Sequence, residues 1–199
     1  MQREQLEAAI VDLHVQVVDR LVAGQDGGGD GGIQGRTLII RRKLSAHSTA
    51  AAPAGPVVIA AGTHELGAAW LNGPGGLAID TVKGSKFDLA VSGSGAADIG
   101  RLAVDALDLS ISGSARVTMA GSAETAAFAI RGPSALEAAG LRVESAKIFA
   151  EGPTTVRLTA TDTAKVDAKG LATVELGGQP ACTLRPSSSA EISGCRQRD

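Results

Sequence analysis

The sequence predicts an all-β fold, a right-handed parallel β-helix of about seven coils with an N-terminal helix or hairpin cap. Two observations support this prediction. Apolar-alternating strands that end in Ser-Gly-Ser recur 20 residues apart within residues 87–116, and a repeat of that length built from strands and small turn residues is typical of a solenoid. The chain also has one Trp, three Phe and no Tyr beside 26 Gly, so its core must be narrow enough for small aliphatic side chains to fill.

A glycine marks the corner of each repeat. The corners follow one another at spacings of 20, 20, 19, 20, 18 and 16 residues, and they are Gly73, Gly93, Gly113, Gly132, Gly152, Gly170 and, in the seventh place, Pro186. Positions four and two before each corner, and four and six after it, are apolar in every copy, whereas position five after it is mostly polar. This alternation separates inward from outward side chains on short strands. The hairpins of an antiparallel sandwich or barrel would not reproduce these inward columns in one chain direction.

The N-terminal segment combines two patterns. Good helix formers in residues 1–9 predict a short helix. Apolar and polar residues alternate over residues 11–17, which is the period of a half-buried strand. Because a helical apolar stripe also runs through this segment, a single helix over residues 3–22 is the alternative.

Residues 25–35, QDGGGDGGIQG, are predicted to form a flexible turn. A phosphate-binding loop would need a helix N-terminus after it, whereas the β-branched run that follows predicts a strand over residues 36–43, pairing with the strand before the turn. We expect residues 45–56 to form a linker or surface loop, and residues 57–61 a short buried strand.

The chain therefore divides into an N-terminal cap, residues 1–56, and a parallel β-helix domain, residues 57–199. A β-helix has two open ends whose unpaired strands must be covered or will associate. The cap covers one end. Exchange of its hairpin between molecules would give a dimer or filament, so a self-assembling structural β-helix and homo-oligomer is one functional alternative.

Charge and hydropathy exclude several classes of protein. The formal net charge of -2 and a pI of about 5.9 argue against binding of nucleic acid or an anionic membrane, because those surfaces require clustered Lys and Arg. No apolar run approaches the roughly 20 residues of a transmembrane helix. Arg3, Glu4 and Glu7 interrupt any apolar segment of a signal peptide, so we expect none in this numbering.

The sequence predicts no catalytic residue and no cofactor. His14, His47 and His64 lie outside the repeat, and nothing places a nucleophile and an orienting carboxylate beside them. A polysaccharide-acting enzyme, which would need acidic residues such as Asp88, Asp98 or Asp108 at working distance, is the least supported function. A carbohydrate-binding platform would need exposed stacking rings, and Trp70 alone is a poor supply.

Asp88 and Asp108 occupy the same outward column of successive repeats. We expect their carboxylates to stack about one strand spacing apart, with like charge beside like charge. A cation such as Ca²⁺ bound between them would relieve the repulsion. In the alternative, both are solvated surface acids, screened by water and by Lys147 further along.

The two cysteines lie 13 residues apart near the C-terminus. That spacing fits no CxxC motif, and no second pair or nearby His supports a zinc site. We therefore expect Cys182 and Cys195 to form a disulfide that closes the last coil. Two free thiols are the alternative.

Several motifs follow one another through residues 70–195. They are Trp70 with Gly73, the Ser-Gly-Ser-Gly run of residues 92–95, its degraded copy in residues 112–115 and the closing GGQPACTLRPSSSAEISGC from Gly177. Together these motifs resemble the bacterial auto-transporter adhesin head GIN domain family. The resemblance implies a secreted or envelope-attached β-helix protein that acts as an adhesin-like, non-enzymatic scaffold.

This resemblance also implies a periplasmic, cell-surface or secreted location, with a surface polysaccharide or a protein as ligand. The corners at Gly132 and Gly152 depart from Ser-Gly-Ser, since a Pro follows each glycine.

Overall fold

The computed structural model describes residues 4–9, 12–17, 22–23, 30–34, 37–41, 58–63, 65–186 and 189–196. Every regular element in these ranges is a β-strand. The first six strands are β1 (Glu4–Ala9), β2 (Asp12–Val17), β3 (Val22–Ala23), β4 (Asp30–Gln34), β5 (Thr37–Arg41) and β6 (Val58–Thr63). The strands of the repeat are β7 (Leu66–Asn72), β8 (Gly76–Gly93), β9 (Ala96–Gly113), β10 (Arg116–Arg131), β11 (Ala135–Glu151), β12 (Thr155–Lys169), β13 (Thr173–Gly177), β14 (Ala181–Pro186) and β15 (Glu191–Ser193).

Strands β7 to β12 stack side by side as parallel neighbours. Each of β8 to β12 supplies most of one turn in 15 to 18 residues. The sixth turn consists of β13 and β14, which both pair with β12, and β15 begins the next. The predicted parallel β-helix is therefore confirmed, with about six turns.

The core is a narrow stack of aliphatic side chains. One inward column runs through Ala69, Leu89, Leu109, Phe128, Ile148 and Val166, and each of these is at most 3% exposed. Two of the four aromatic residues, Phe87 and Phe128, are buried here. Inward and outward positions alternate on both sides of each corner, as the sequence predicts.

All six corner glycines adopt positive φ, between 75° and 114°. At Gly113 a Cβ atom would overlap the carbonyl oxygen of Gly93, the corner of the preceding coil. Here the corner needs glycine for both its backbone conformation and the close approach of the coils.

The assignment of Pro186 to a seventh corner is wrong. Pro186 pairs with Ala168 and Leu184 with Val166, so this proline lies two positions before a corner. The last coils keep the 18-residue spacing, which also places Ile192 opposite Val174. The predicted register is two residues out because a shift of two leaves the inward–outward alternation unchanged, and Leu184 and Ile192 fit an apolar column in either register.

The predicted helix over residues 1–9 is wrong, as is the alternative helix over residues 3–22, because β1 and β2 occupy this region. Strand β1 pairs antiparallel with both β6 and β8, and these tertiary contacts override helix propensity. The strand predicted over residues 11–17 is confirmed, and so is its antiparallel pairing with β5 after the glycine-rich segment. Part of that predicted turn is strand β4.

The predicted strand over residues 57–61 corresponds to β6. The predicted loop of residues 45–56 lies outside the described residues. So do His47 and His64.

The two ends of the β-helix differ. At the N-terminal end, β1 runs antiparallel beside β8 and β2 beside β7. The strand segments before and after the first corner, Gly73, therefore each have a partner strand. At the other end, β14 pairs on one edge with β12, and no described strand pairs with its second edge. The division at residue 56 stays a prediction.

Candidate functional site

The strand segments that precede the corners present one continuous outer surface, here called the groove face. Three outward columns form it, each with one residue per coil. The aromatic column is Trp70, Ala90, Ser110, Ala129, Phe149 and Asp167; the charge column is Asp88, Asp108, Ala127, Lys147 and Lys165; the hydroxyl column is Lys86, Ala106, Thr125, Ser145 and Thr163.

A groove of about 570 Å³ runs along the aromatic column. The groove extends from Trp70 at one end, past Phe149, to Asp167 at the other, and small side chains such as Ala90 and Ser110 form its floor. Four strand steps separate the two rings, which corresponds to roughly 19 Å at the usual strand spacing. The groove can therefore accommodate an extended ligand laid along the β-helix axis.

The aromatic content of the chain divides between core and groove. Phe87 and Phe128 are buried, and the remaining two aromatic residues, Trp70 and Phe149, both line this groove. The sequence-based expectation that Trp70 stands alone was therefore incomplete. The sequence does contain the evidence that Phe149 faces outward: it lies between two inward residues, Ile148 and Ala150, and side chains alternate along a strand.

Two cations flank the ring of Phe149. The guanidinium carbon of Arg131 lies 5.0 Å from the ring centroid and Lys169 Nζ lies 5.2 Å from it. Both distances suit cation–π contacts. Arg131 also forms an ion pair with Glu151 at 3.6 Å. The C-terminal end of the groove thus combines an aromatic ring with positive charge.

Asp88 and Asp108 lie in register on adjacent coils, as the sequence predicts. Lys86 Nζ lies 3.0 Å from a carboxylate oxygen of each. Hydrogen bonds to Asp108 and then to Asp88 raise the Lys86 pKa above its usual 10.5. The cation that pairs with both aspartates is therefore Lys86, two residues before Asp88, rather than the Lys147 that the sequence suggests.

Lys147 and Lys165 form a second like-charge pair in the same column, in register on β11 and β12. Among the described residues, no carboxylate forms an ion pair with either ammonium group. This pair lines a second groove of about 670 Å³ beside the first. Thr125, Ser145, Thr163 and Arg196 share that lining.

The coil side that follows each corner, here called the ladder side, carries ion pairs between neighbouring coils. Arg157 Nε lies 2.8 Å from Glu175 Oε2, and Arg157 Nη1 lies 3.2 Å from Glu137 Oε1. The bond to Glu175, followed by the charge of Glu137, raises the Arg157 pKa. These pairs join three successive coils, so this side is organised for inter-coil stability.

Cys182 and Cys195 are joined, with an S–S distance of 2.02 Å. The bridge ties β14 to the segment after β15. Beside it, the backbone N–H of Arg196 donates to the Pro180 carbonyl at 3.0 Å. Together these contacts hold Arg196 at the end of the second groove.

The remaining candidate residues do not assemble into a catalytic site in the described part of the chain. His14 lies on β2, whose backbone pairs with β7 and β5, and Asp98 lies on the ladder side, in register with Thr118. Within the described ranges, no three or more His, Cys, Asp or Glu residues cluster in a way that could hold a metal ion. The same ranges contain no helix long and apolar enough to cross a membrane.

A family model described as "Putative auto-transporter adhesin, head GIN domain" matches residues 32–180. The match covers more than half of the 199-residue chain and includes both rings of the aromatic column. It ends before Cys182. No curated protein and no solved structure gives a significant match.

Proposed function

The chain belongs to the auto-transporter adhesin head GIN domain family, and from this premise we propose that it is a non-enzymatic cell-surface or secreted scaffold that binds a glycan chain along the groove face. The family description supports an adhesive role outside the cell. A disulfide supports an oxidising compartment.

The observation that carries this proposal is the shared column of Trp70 and Phe149. Aromatic faces pack against the apolar faces of sugar rings, and hydroxyl groups supply the polar contacts that orient them. The groove provides the ring of Trp70 at one end, Ser110 in its floor and, further along, the ring of Phe149, on which a sugar would stack in place of Arg131 or Lys169. Its length along the coil axis suits a polymer better than a compact metabolite.

The electrostatics of the same face favour binding over glycoside hydrolysis. Glycosidases of the two-carboxyl type need one acid that donates a proton and a second that acts as nucleophile or base. The stacked acids of the groove face are instead both paired with Lys86. That arrangement gives both carboxylates a structural role, in which Lys86 joins neighbouring coils.

A glycan array probed with the full chain tests the proposal, followed by calorimetry with the bound oligosaccharides. We expect Trp70→Ala and Phe149→Ala each to weaken binding at least tenfold, whereas Thr118→Ala, on the ladder side, leaves it unchanged. Circular dichroism should show that all three variants keep the β-helix. Absence of glycan binding, or wild-type affinity in both ring variants, would overturn the proposal.

A second function, self-assembly through the C-terminal end, is favoured by a different observation. Strand β14 has one partner among the described strands, and Leu184 and Leu171 near that end are 42% and 69% exposed. An exposed strand edge with apolar side chains is a template for another chain. Light scattering over a wide concentration range tests it: mass should rise with concentration and Leu184→Lys should reverse the rise, whereas a monomer throughout removes this function.

A further inference from the structure

We propose that the glycan of the groove face is anionic, and that Lys147, Lys165 and Arg196 bind its carboxylate or sulfate groups. This inference rests on the proposed function and specifies its ligand class. The site is the second groove, of about 670 Å³, which adjoins the aromatic groove along the charge column.

The charge column contains two like-charge pairs, and they differ in whether a described residue of opposite charge pairs with them. Asp88 and Asp108 have a counterion in Lys86, with both Nζ–oxygen distances at 3.0 Å. Lys147 and Lys165 have the same adjacent register, but no carboxylate in the described ranges forms an ion pair with them. Like charges directly opposite one another on neighbouring strands destabilise a sheet. An external anion between these ammonium groups would remove that cost.

The hydroxyl column supplies neutral partners beside the lysines. Ser145 and Thr163 pair with each other in the neighbouring column, each two residues before one of the lysines. Their hydroxyl oxygens are 2.6 Å apart. Both residues line the second groove. Hydroxyls and ammonium groups on one surface can bind the hydroxyl and acid groups of a sugar acid together.

Arg196 also lines this groove and adds a third cationic residue to it. Its backbone is held by the hydrogen bond to Pro180 at 3.0 Å, and its neighbour Cys195 is joined to Cys182 of β14. A guanidinium binds carboxylate and sulfate in a bidentate manner. The disulfide therefore positions a third cation on the lysine side of the groove.

The spacing of these cations favours a polymer. Lys147 and Lys165 repeat at the strand spacing, roughly 4.8 Å along the β-helix axis. The aromatic groove runs along the same axis and shares both lysines in its lining, where Asp88 and Asp108 are paired with Lys86 and Asp167 lies beyond Phe149. A linear acidic polysaccharide can therefore contact the rings and the cations at once. The net charge of -2 argues against a general polyanion surface.

The experiment uses acidic polysaccharides and their charge-free counterparts. Polygalacturonate with its carboxyl-reduced form, and heparin with its desulfated form, are titrated into the full chain by calorimetry. The test variant is Lys147→Gln/Lys165→Gln. The control is Lys83→Gln/Arg101→Gln, which removes two charges from exposed positions that line neither groove.

We expect wild type to bind at least one acidic polymer at least tenfold more tightly than its charge-free counterpart. The test variant should lose that difference, and the control variant should keep it. Binding to the acidic polymer should weaken strongly in about 1 M salt, where screening acts within about 3 Å.

Equal binding of acidic and charge-free polymers would overturn the charge assignment and leave the glycan scaffold standing. An unchanged affinity in the lysine variant would do the same. Equal affinity for duplex DNA would contradict a glycan site. Absence of binding to every glycan would overturn both proposals.

Discussion

The ammonium group of Lys86 lies 3.0 Å from the carboxylate of Asp108 in the next coil. The same nitrogen contacts Asp88 in its own strand at 3.0 Å. One lysine therefore neutralises a pair of acids that the repeat stacks in register. Its role is structural, and it gives the acid pair of the groove face a counter-charge that the lysine pair lacks among the described residues.

Replacing Lys86 should destabilise the protein at neutral pH. In Lys86→Gln the two carboxylates face each other without a counterion. Because the pKa of Lys86 is raised in the folded state, its stabilisation is fully present below its unfolded pKa of about 10.5 and is lost as the pH rises through the higher folded value. Urea unfolding should show a wild-type advantage that is constant from neutral pH to about pH 9 and shrinks above about 10.5.

Lys83→Gln is the control for this series, since Lys83 is exposed and has no ion pair with a described residue. If wild type exceeded Lys86→Gln in free energy of unfolding by the same amount well above pH 10.5 as at neutral pH, the ion-pair assignment would be contradicted.

Two corner glycines allow backbone strain to be separated from steric contact. Gly152 has φ 97°, and a Cβ there would meet its nearest atom at 3.5 Å. Gly113 has φ 114°, and a Cβ there would overlap the carbonyl oxygen of Gly93. We expect Gly152→Ala to lower the free energy of unfolding by about 1–3 kcal/mol through backbone conformation. Gly113→Ala should cost more, because a backbone carbonyl must also move. Equal losses in urea unfolding would contradict this stacking of the corners.

The disulfide should stabilise the last coil. Under denaturing, non-reducing conditions, alkylation should label neither Cys182 nor Cys195, because the two are joined. The double Ser variant should lose about 2–4 kcal/mol and become susceptible to proteolysis after β13, with the central coils still protected. Two alkylated thiols in protein isolated from an oxidising compartment would contradict the pairing.

Removing residues 1–56 should expose the first coil. Strands β1 and β2 pair antiparallel with β8 and β7, so their loss leaves unpaired strand edges that promote association. We expect the fragment of residues 57–199 to keep its β-sheet circular dichroism spectrum and to aggregate in sedimentation experiments. A stable monomer would show that the first coil needs no cover, against the proposed division into cap and β-helix.

The repeat was predictable from sequence because corner glycines and apolar columns are strictly local signals. The helix predicted at the N-terminus failed because the strand state of Glu4–Ala9 depends on pairing with β6 and β8, and both are distant in sequence. The seventh corner failed for a related reason. Near Cys182, Leu184 fits an apolar column in two registers that differ by two residues. Only the pairing of β14 with β12 distinguishes the two registers.

The candidate site was partly predictable. The stacking of Asp88 on Asp108 followed from the repeat alone, whereas the partner Lys86 lies in a neighbouring column and needed side-chain positions. The aromatic pair was within reach of the sequence, since the repeat assigns Trp70 and Phe149 to one outward column. The grooves themselves depend on how the coils stack and could not be read from spacing.

The most direct test of the binding face is chemical-shift mapping by NMR, with an oligosaccharide selected from the glycan array. The account predicts that the largest shifts on titration fall on backbone amides of the aromatic column, including Ala90, Ser110 and Phe149. Amides of the ladder side, including Thr118 and Arg157, should not move. Shifts concentrated on the ladder side or at the coil ends would contradict a glycan site on the groove face.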